Sequence, residues 1–163
     1  MDLKFKKAST DDVLLIAQLA DRIWKKHYIN IISIEQIVFM LKKMYSEESI
    51  LSQMMDGHQF EIAYNNITPI GYISLSSINN KEYFLHKFYV ETTDQRKGVG
   101  STFLKHILEH IPDSESIELT VNRQNYKAIN FYFKNGFIIK DVADFDIGEG
   151  YFMNDFIMIR KTN

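Results

Sequence analysis

The sequence predicts an α+β domain built on a mixed, mostly antiparallel central sheet flanked by helices. Three observations carry that prediction. Apolar residues recur at helical spacing through the first third of the chain, and alternating strand patterns dominate the remainder. A basic glycine turn, Gln95 to Ser101, then joins a β-branched and aromatic run to an apolar-periodic segment. A chain of 163 residues fits one domain, and residues 1–163 are assigned to it, since no linker, repeat or low-complexity stretch divides them.

Leu3 to Lys7 alternates and reads as the first strand. Ser9-Thr10-Asp11-Asp12 suits a helix start, and Val13, Ile16, Leu19, Ala20 and Ile23 then form one stripe. Ser33 opens a second helix bearing Ile34, Ile37, Val38 and Leu41, with Gln36 at the reciprocal position of a capping box. A short third helix covers Glu47 to Met55 and breaks at Gly57. Gln59 to Tyr64 and Ile70 to Ser76 pair around Asn65-Asn66, and Asn79-Asn80 turns the chain into the strand Phe84 to Val90. Beyond the glycine turn come a helix over 98–110, a strand from Ser116 to Val121, and a helix over about 125–134 that stops at Asn135-Gly136. Phe137 to Val142 and Phe152 to Arg160 complete the sheet. Asp141, Asp144, Asp146 and Glu149 form an acidic stretch before the last strand, read as a solvated loop or as carboxylates for a cationic ligand.

With 45% apolar and 13% aromatic residues the chain has enough material for a packed core. A net charge of −2 and a pI near 6.2 give no global attraction to nucleic acid or to an anionic membrane, so neither is an expected partner. No apolar run is long enough to span a bilayer, and MDLKFKKAST lacks the apolar core of a signal peptide, so a cytoplasmic location is expected. The absence of cysteine excludes disulfides, thiolate metal sites and a cysteinyl intermediate. His106 and His110 have metal-ligand spacing, but no third ligand is in view. They read as solvated helix positions, and no metal is expected.

The glycine turn is the stretch most able to carry chemistry. A strand, a short basic turn and a helix N-terminus make an anion site, because the unpaired N–H groups of the first turn and the positive end of the macrodipole face the same point. Gly98 and Gly100 let the backbone approach a diphosphate; Val99 and Ser101 complete the turn, and Arg96 and Lys97 add positive charge. Farther on, Asn125 and Tyr132 are seven residues apart and share a helix face about 10 Å from each other. That spacing suits two contacts along an extended ligand arm, and equally an N-cap asparagine followed by a core tyrosine.

Taken together, Gln95-x-x-Gly98-x-Gly100 and Asn125-x-x-Ala128-x-x-x-Tyr132-x-x-x-Gly136-Phe137 resemble the two signatures of the GNAT superfamily of N-acetyltransferases. The resemblance covers residues 60–160 well and the helical first third only in kind. It implies a GNAT-like domain in which splayed strands form an acyl-CoA cleft, with acetyl-CoA as co-substrate. Phe88, Tyr89 and Val90 would then present backbone groups to the pantetheine arm, with the Val90 N–H available to the thioester carbonyl. Gln95 to Ser101 would cradle the diphosphate, Asn125 would meet the middle of the arm, and Lys134 would add attraction to phosphate. Tyr132 would sit near the sulfur.

The expected reaction is direct transfer of the acetyl group to a primary amine in a ternary complex. Holding a lysine-like amine neutral near pH 7 costs roughly 4–5 kcal/mol, so something must take its proton. Some relatives place a glutamate where this chain has Phe84. Glu82 and His86 project from the same strand face, and His86 has the more suitable intrinsic pKa; a half-buried structural histidine is the competing reading. A tyrosine is a weaker acid than a thiol by roughly 2 kcal/mol, so the role expected of Tyr132 is a hydrogen bond to the departing thiolate. Gly148 to Asp155, with Ile31-Ile32-Ser33 and Gln36, is similar to bacterial GNAT proteins of the polyamine-acetylating PaiA type, which implies a polyamine or a peptide amine as acceptor and permits a homodimer. A non-catalytic acyl-CoA sensor is the alternative. A nucleotide-dependent phosphotransferase is disfavoured, since neither GxxxxGK[ST] nor GxGxxG occurs.

Overall fold

Each segment with a period in the sequence forms the element that its period predicts. The computed structural model describes residues 2–91 and 98–162. Seven strands stand in the order β1-β2-β3-β4-β5-β7-β6. All the registers described are antiparallel except that of β4 (Glu82–Val90) on β5 (Ser116–Asn122). The chain packs as two compact units, and β4 contributes to both. One unit runs through Ser76 and again from Lys87 to Ile111; the other holds Ser77–His86 and everything from Pro112 on.

In the first unit β1 (Leu3–Lys7) leads through a 3-10 turn, Thr10–Asp12, into α1 (Val13–His27). The Asp12 carboxylate closes that turn by accepting from the Ser9 N–H at 2.9 Å and from Lys6 at the same distance. Those contacts hold its pKa below the usual value, the Ser9 backbone bond being the main cause. Helix α2 (Ile34–Tyr45) starts at Ser33, whose hydroxyl accepts from the Gln36 N–H, and α3 (Glu47–Met55) starts the same way at Ser46. Gly57 stops the run at φ +92°, in the left-handed region open to glycine. β2 (Gln59–Asn65) and β3 (Thr68–Ser77) form a hairpin whose turn places Asn66 at φ +55°. The core here comprises Ile16, Leu19, Trp24, Ile50, Ile62, Tyr72 and Phe103, all buried.

In the second unit α5 (Tyr126–Lys134) follows β5, and β7 (Tyr151–Lys161) pairs with β5 on one side and β6 (Ile138–Gly148) on the other. Ile117, Leu119, Val121, Ile129, Phe137 and Met158 are among its buried apolar residues. The acidic stretch is not a loop. β6 runs straight through Asp141, Asp144 and Asp146 to Gly148, and only Glu149, at φ +53°, stands in the turn. β6 is the outermost strand, so charges on it stay hydrated on both faces and the alternation that marks an inner strand is absent from its sequence.

One buried charge stands out in the first unit. Lys87 is only 7% exposed, with Nζ 5.0 Å from the centre of the Tyr45 ring and 6.0 Å from that of Phe60. No carboxylate pairs with it among the described residues, and burial pulls its pKa down to about 8. The aromatic faces offset part of the desolvation cost. Because the unfolded chain holds this proton up to the usual 10.5, stability contributed at this position rises with pH between about 8 and 10.5. Lys87→Met is therefore expected to raise unfolding free energy at pH 7 by about 1–3 kcal/mol, with the gain shrinking toward pH 10.5; urea titrations at the two pH values check this.

Candidate functional site

Helix α4 (Val99–His110) begins at Gly98, which adopts φ +91° and supplies no side chain to cap the first turn. Thr102 returns its N–H to the Gly98 carbonyl at 3.0 Å, so the helix is regular from its first residue. A Cβ placed on Gly98 would meet nothing within 4 Å among the described residues. The N–H groups of Val99, Gly100 and Ser101 occupy the first turn, where Gly98 offers no side chain from the cap position. This arrangement fits a diphosphate. Gln95, Arg96 and Lys97 lie outside the described residues.

The end of β4 is held from several sides within the same unit. Glu91 donates its N–H to the Ile70 carbonyl at 2.7 Å, and its carboxylate pairs with Arg22 of α1. Gly71 on β3 is required by contact. An added Cβ would lie 2.5 Å from the Tyr89 carbonyl oxygen and 3.0 Å from the Val90 Cα, which no other residue tolerates without shifting the strand. The Phe88 ring packs on Phe103 of α4 at 5.8 Å. Tyr89 points to the other face, where its hydroxyl and that of Tyr45 are 3.0 Å apart and its ring joins Trp24, Tyr28 and Tyr72. Burial pushes the Tyr89 phenol well above its usual range. Phe88, Tyr89 and Val90 are all half-buried. The aromatic side chains thus fix the strand by packing, which leaves its backbone as the part able to face a ligand.

In the second unit Asn125 and Tyr132 do share one face of α5, and both are buried, at 4% and 7% exposure. Asn125 is the N-cap, its Oδ1 accepting from the Ala128 N–H at 3.2 Å, so the capping role expected as the alternative is present. Tyr132 packs edge-on against Phe137 and Phe131, as a core residue does. Lys134 is exposed at the far end of α5, where it complements the macrodipole. His86 is half-buried with its ring 4.8 Å from that of Phe84, and Glu82 is engaged by the Asn79 side-chain amide at the start of β4.

The parallel register of β4 on β5 runs from Glu82↔Ser116 to Leu85↔Leu119. Both strands continue beyond it, to Val90 and to Asn122. His106 is not a solvated position: its Nε2 lies 2.8 Å from a Glu61 carboxylate oxygen, and its ring stacks on Phe5. No group of three metal-binding side chains occurs among the described residues, and none of the described helices is long and apolar enough to cross a membrane.

The first unit thus holds a glycine helix start without a side-chain cap, and the second holds a buried Asn125 and Tyr132 on one helix face. The family model described as "Acetyltransferase (GNAT) family" matches residues 28–137. The chain belongs to the GNAT acetyltransferase family. A spermidine N(1)-acetyltransferase of Thermoplasma acidophilum is 30% identical over 99% of this chain and 98% of its own. The crystal structure of the PaiA N-acetyltransferase of T. acidophilum in complex with coenzyme A superposes with a TM-score of 0.84, at 29% identity, over 99% of this chain and 100% of that one. Arabidopsis thaliana Naa50, solved with a bisubstrate analogue, shares the fold with a TM-score of 0.70 at 16% identity, covering 99% and 100% of the two chains. As a GNAT protein the chain is an acetyl-CoA-dependent N-acetyltransferase with acetyl-CoA as co-substrate, and its kinship with a working enzyme does not favour a non-catalytic sensor.

The GNAT signatures do not include one residue that the structure makes conspicuous. Asp155 of β7 is 5% exposed. Burial raises its pKa from the usual 3.8 to about 6, against the opposing effects of a hydrogen bond from the Thr120 hydroxyl and the charge of Arg123. Its signal was present in the sequence: Met153, Asp155, Ile157 and Ile159 alternate onto one strand face, and an aspartate interrupts that otherwise apolar row. The folded state binds this proton more tightly than the unfolded chain, so stability contributed here falls as pH rises from about 4 to about 6. Asp155→Asn removes that slope. Its melting temperature is expected to exceed that of wild type at pH 8 by an amount worth on the order of 3 kcal/mol, with the advantage gone by pH 4, as thermal scans across that range would read.

Proposed function

We propose that the chain transfers the acetyl group of acetyl-CoA directly to a primary amine of a polyamine, with spermidine as the representative acceptor and peptide amines as the second class. The observation that carries the acceptor is the near-full-length likeness to the T. acidophilum spermidine enzyme. Peptide amines are the second class because the Naa50 structure of the same fold holds a bisubstrate analogue. We further propose that the enzyme acts in the cytoplasm, as a monomer or a homodimer, without a nucleic-acid or membrane partner.

The donor would be held from the side of the first unit by the start of α4. The N–H groups of Val99, Gly100 and Ser101 would take the diphosphate, and Arg96 and Lys97 would supply charge beside them. Backbone groups of Phe88, Tyr89 and Val90 would line the pantetheine arm, the Val90 N–H serving the thioester oxygen as negative charge develops there. Asn125 is assigned an amide contact to the arm. Its Oδ1 accepts from the Ala128 N–H at the α5 cap.

The amine nitrogen attacks the thioester carbon, the C–S bond breaks with its electron pair on sulfur, and the Tyr132 hydroxyl steadies that thiolate. One amine proton must leave before attack. His86, on β4, and Asp155, on β7, are two titratable groups of the second unit that are candidates to take it. Lys134 is assigned a supporting attraction to phosphate.

Tyr132→Phe keeps the packing against Phe137 and removes only the hydroxyl. It is expected to lower kcat by about 10²-fold while leaving acetyl-CoA affinity within a few-fold of wild type. Thiol release kinetics together with calorimetry of acetyl-CoA binding check both halves; an unchanged kcat would remove Tyr132 from the reaction.

A further inference from the structure

We propose that Asp155 is the general base for the acceptor amine, acting from the sheet face that it shares with Thr120 and His86. The proposal rests on the acetyltransferase reading above and adds the residue which that reading leaves open.

The second unit alone supplies the geometry. Phe84 stands opposite Glu118 in the parallel register, so His86, two residues on, shares the face of Glu118 and Thr120. On β5, Thr120 stands opposite Ile157 and Asn122 opposite Asp155. Asp155 therefore lies on that same face, beside the end of β5. The corner there is closely tied: Arg123 donates its N–H to the Asn154 carbonyl at 3.0 Å, and Asn125 donates to the Asn122 carbonyl at 2.9 Å. One step along the chain from Asp155 is thus bonded to the corner that starts α5, the helix carrying Asn125 and Tyr132.

The surroundings suit a base. Ala143 of β6 stands opposite Asp155 in register, and Met153 and Ile157 flank it on its own strand. Arg123 is the charged group acting on it, and Arg123 is itself paired with Asp144. Asp141 of β6, opposite Ile157, shares the face, but its Oδ1 accepts from the Val142 N–H. Farther back Glu118 pairs with Lys140. A carboxylate with apolar neighbours and one hydroxyl donor is a stronger base than a hydrated one, and its pKa of about 6 leaves it mostly ionised at pH 7 and able to receive a proton. By contrast the Phe84 ring leans on His86.

The acceptor enters as an ammonium and gives one proton to the Asp155 carboxylate, which later releases it to solvent. The neutral amine forms the C–N bond as the C–S bond breaks, and its second proton goes to the thiolate. The products are the N-acetyl amine, coenzyme A as thiol, and one proton in solution.

The test is the pH profile of kcat/KM for spermidine, read by thiol release, in wild type, Asp155→Asn, Asp155→Glu, Thr120→Val and His86→Gln. Wild type is expected to lose activity below pH about 6. Asp155→Asn should lose about 10²–10⁴-fold at pH 7 with acetyl-CoA affinity unchanged, and Asp155→Glu should restore part of it. Thr120→Val removes a bond that favours the ionised form, so the acidic limb should move to higher pH; this arm stands even if Asp155→Asn fails to fold. An Asp155→Asn enzyme with near-normal activity, a limb unmoved by Thr120→Val, or a limb abolished by His86→Gln alone would overturn the proposal. If wild type itself releases no thiol with spermidine or with a peptide amine, the acetyltransferase reading fails first.

Discussion

A helix that begins at a bare glycine has backbone N–H groups in want of acceptors, and much of this protein is arranged around that want. Gly98 enters α4 in a left-handed conformation that brings no side-chain cap, unlike α2, α3 and α5, each of which is capped by Ser33, Ser46 or Asn125. Capping is worth about 1 kcal/mol, so forgoing it at Gly98, as at the start of α1, costs stability that a bound anion would recover. The strand that delivers the chain to this point is correspondingly fixed. Gly71 admits the Tyr89 carbonyl, Arg22 holds Glu91, and the Trp24–Tyr28–Tyr45–Tyr89 cluster fills one side.

Each unit also holds a buried ionisable group without an opposite charge bonded to it. Lys87 is pulled down and Asp155 is pushed up by the same cause, the loss of water around a charge. Lys87 sits over two aromatic rings, which compensate a cation and would repel an anion. Asp155 has one hydroxyl and a nearby guanidinium that is shared with Asp144. Groups kept at such cost are uncommon in a structure that pairs its other acids readily, as at Lys6–Asp12, Lys81–Glu115 and Lys140–Glu118.

The helices and inner strands were legible because each buries one stripe or one face, and burial writes a period into the sequence. β1 and α3 have the very bounds their patterns predict, and α2 begins directly after the serine that caps it. β6 was half legible: Phe137 to Val142 reads as strand, but an outer strand carries charge on both faces and its acidic second half has no such period. His106 was misread for a related reason, since helical spacing says which residues share a face but not that Glu61 waits opposite. The motif residues of α5 were found by pattern, and the structure shows Asn125 in the capping role that its spacing also allowed. Asp155 was read only as the end of the PaiA-like segment Gly148 to Asp155 and not as a site residue, because the two GNAT signatures do not reach it; its place in an apolar alternation set it apart.

GNAT membership identifies the donor, whereas the acceptor and the proton path depend on residues outside the family signatures. The most direct measurement is coupled: thiol release from acetyl-CoA with spermidine present, and mass spectrometry of the amine product. The account predicts one equivalent of N-acetylspermidine per thiol, with no release when amine is omitted. Acetyl-CoA that binds at the start of α4 and yet turns over with no primary amine would contradict it.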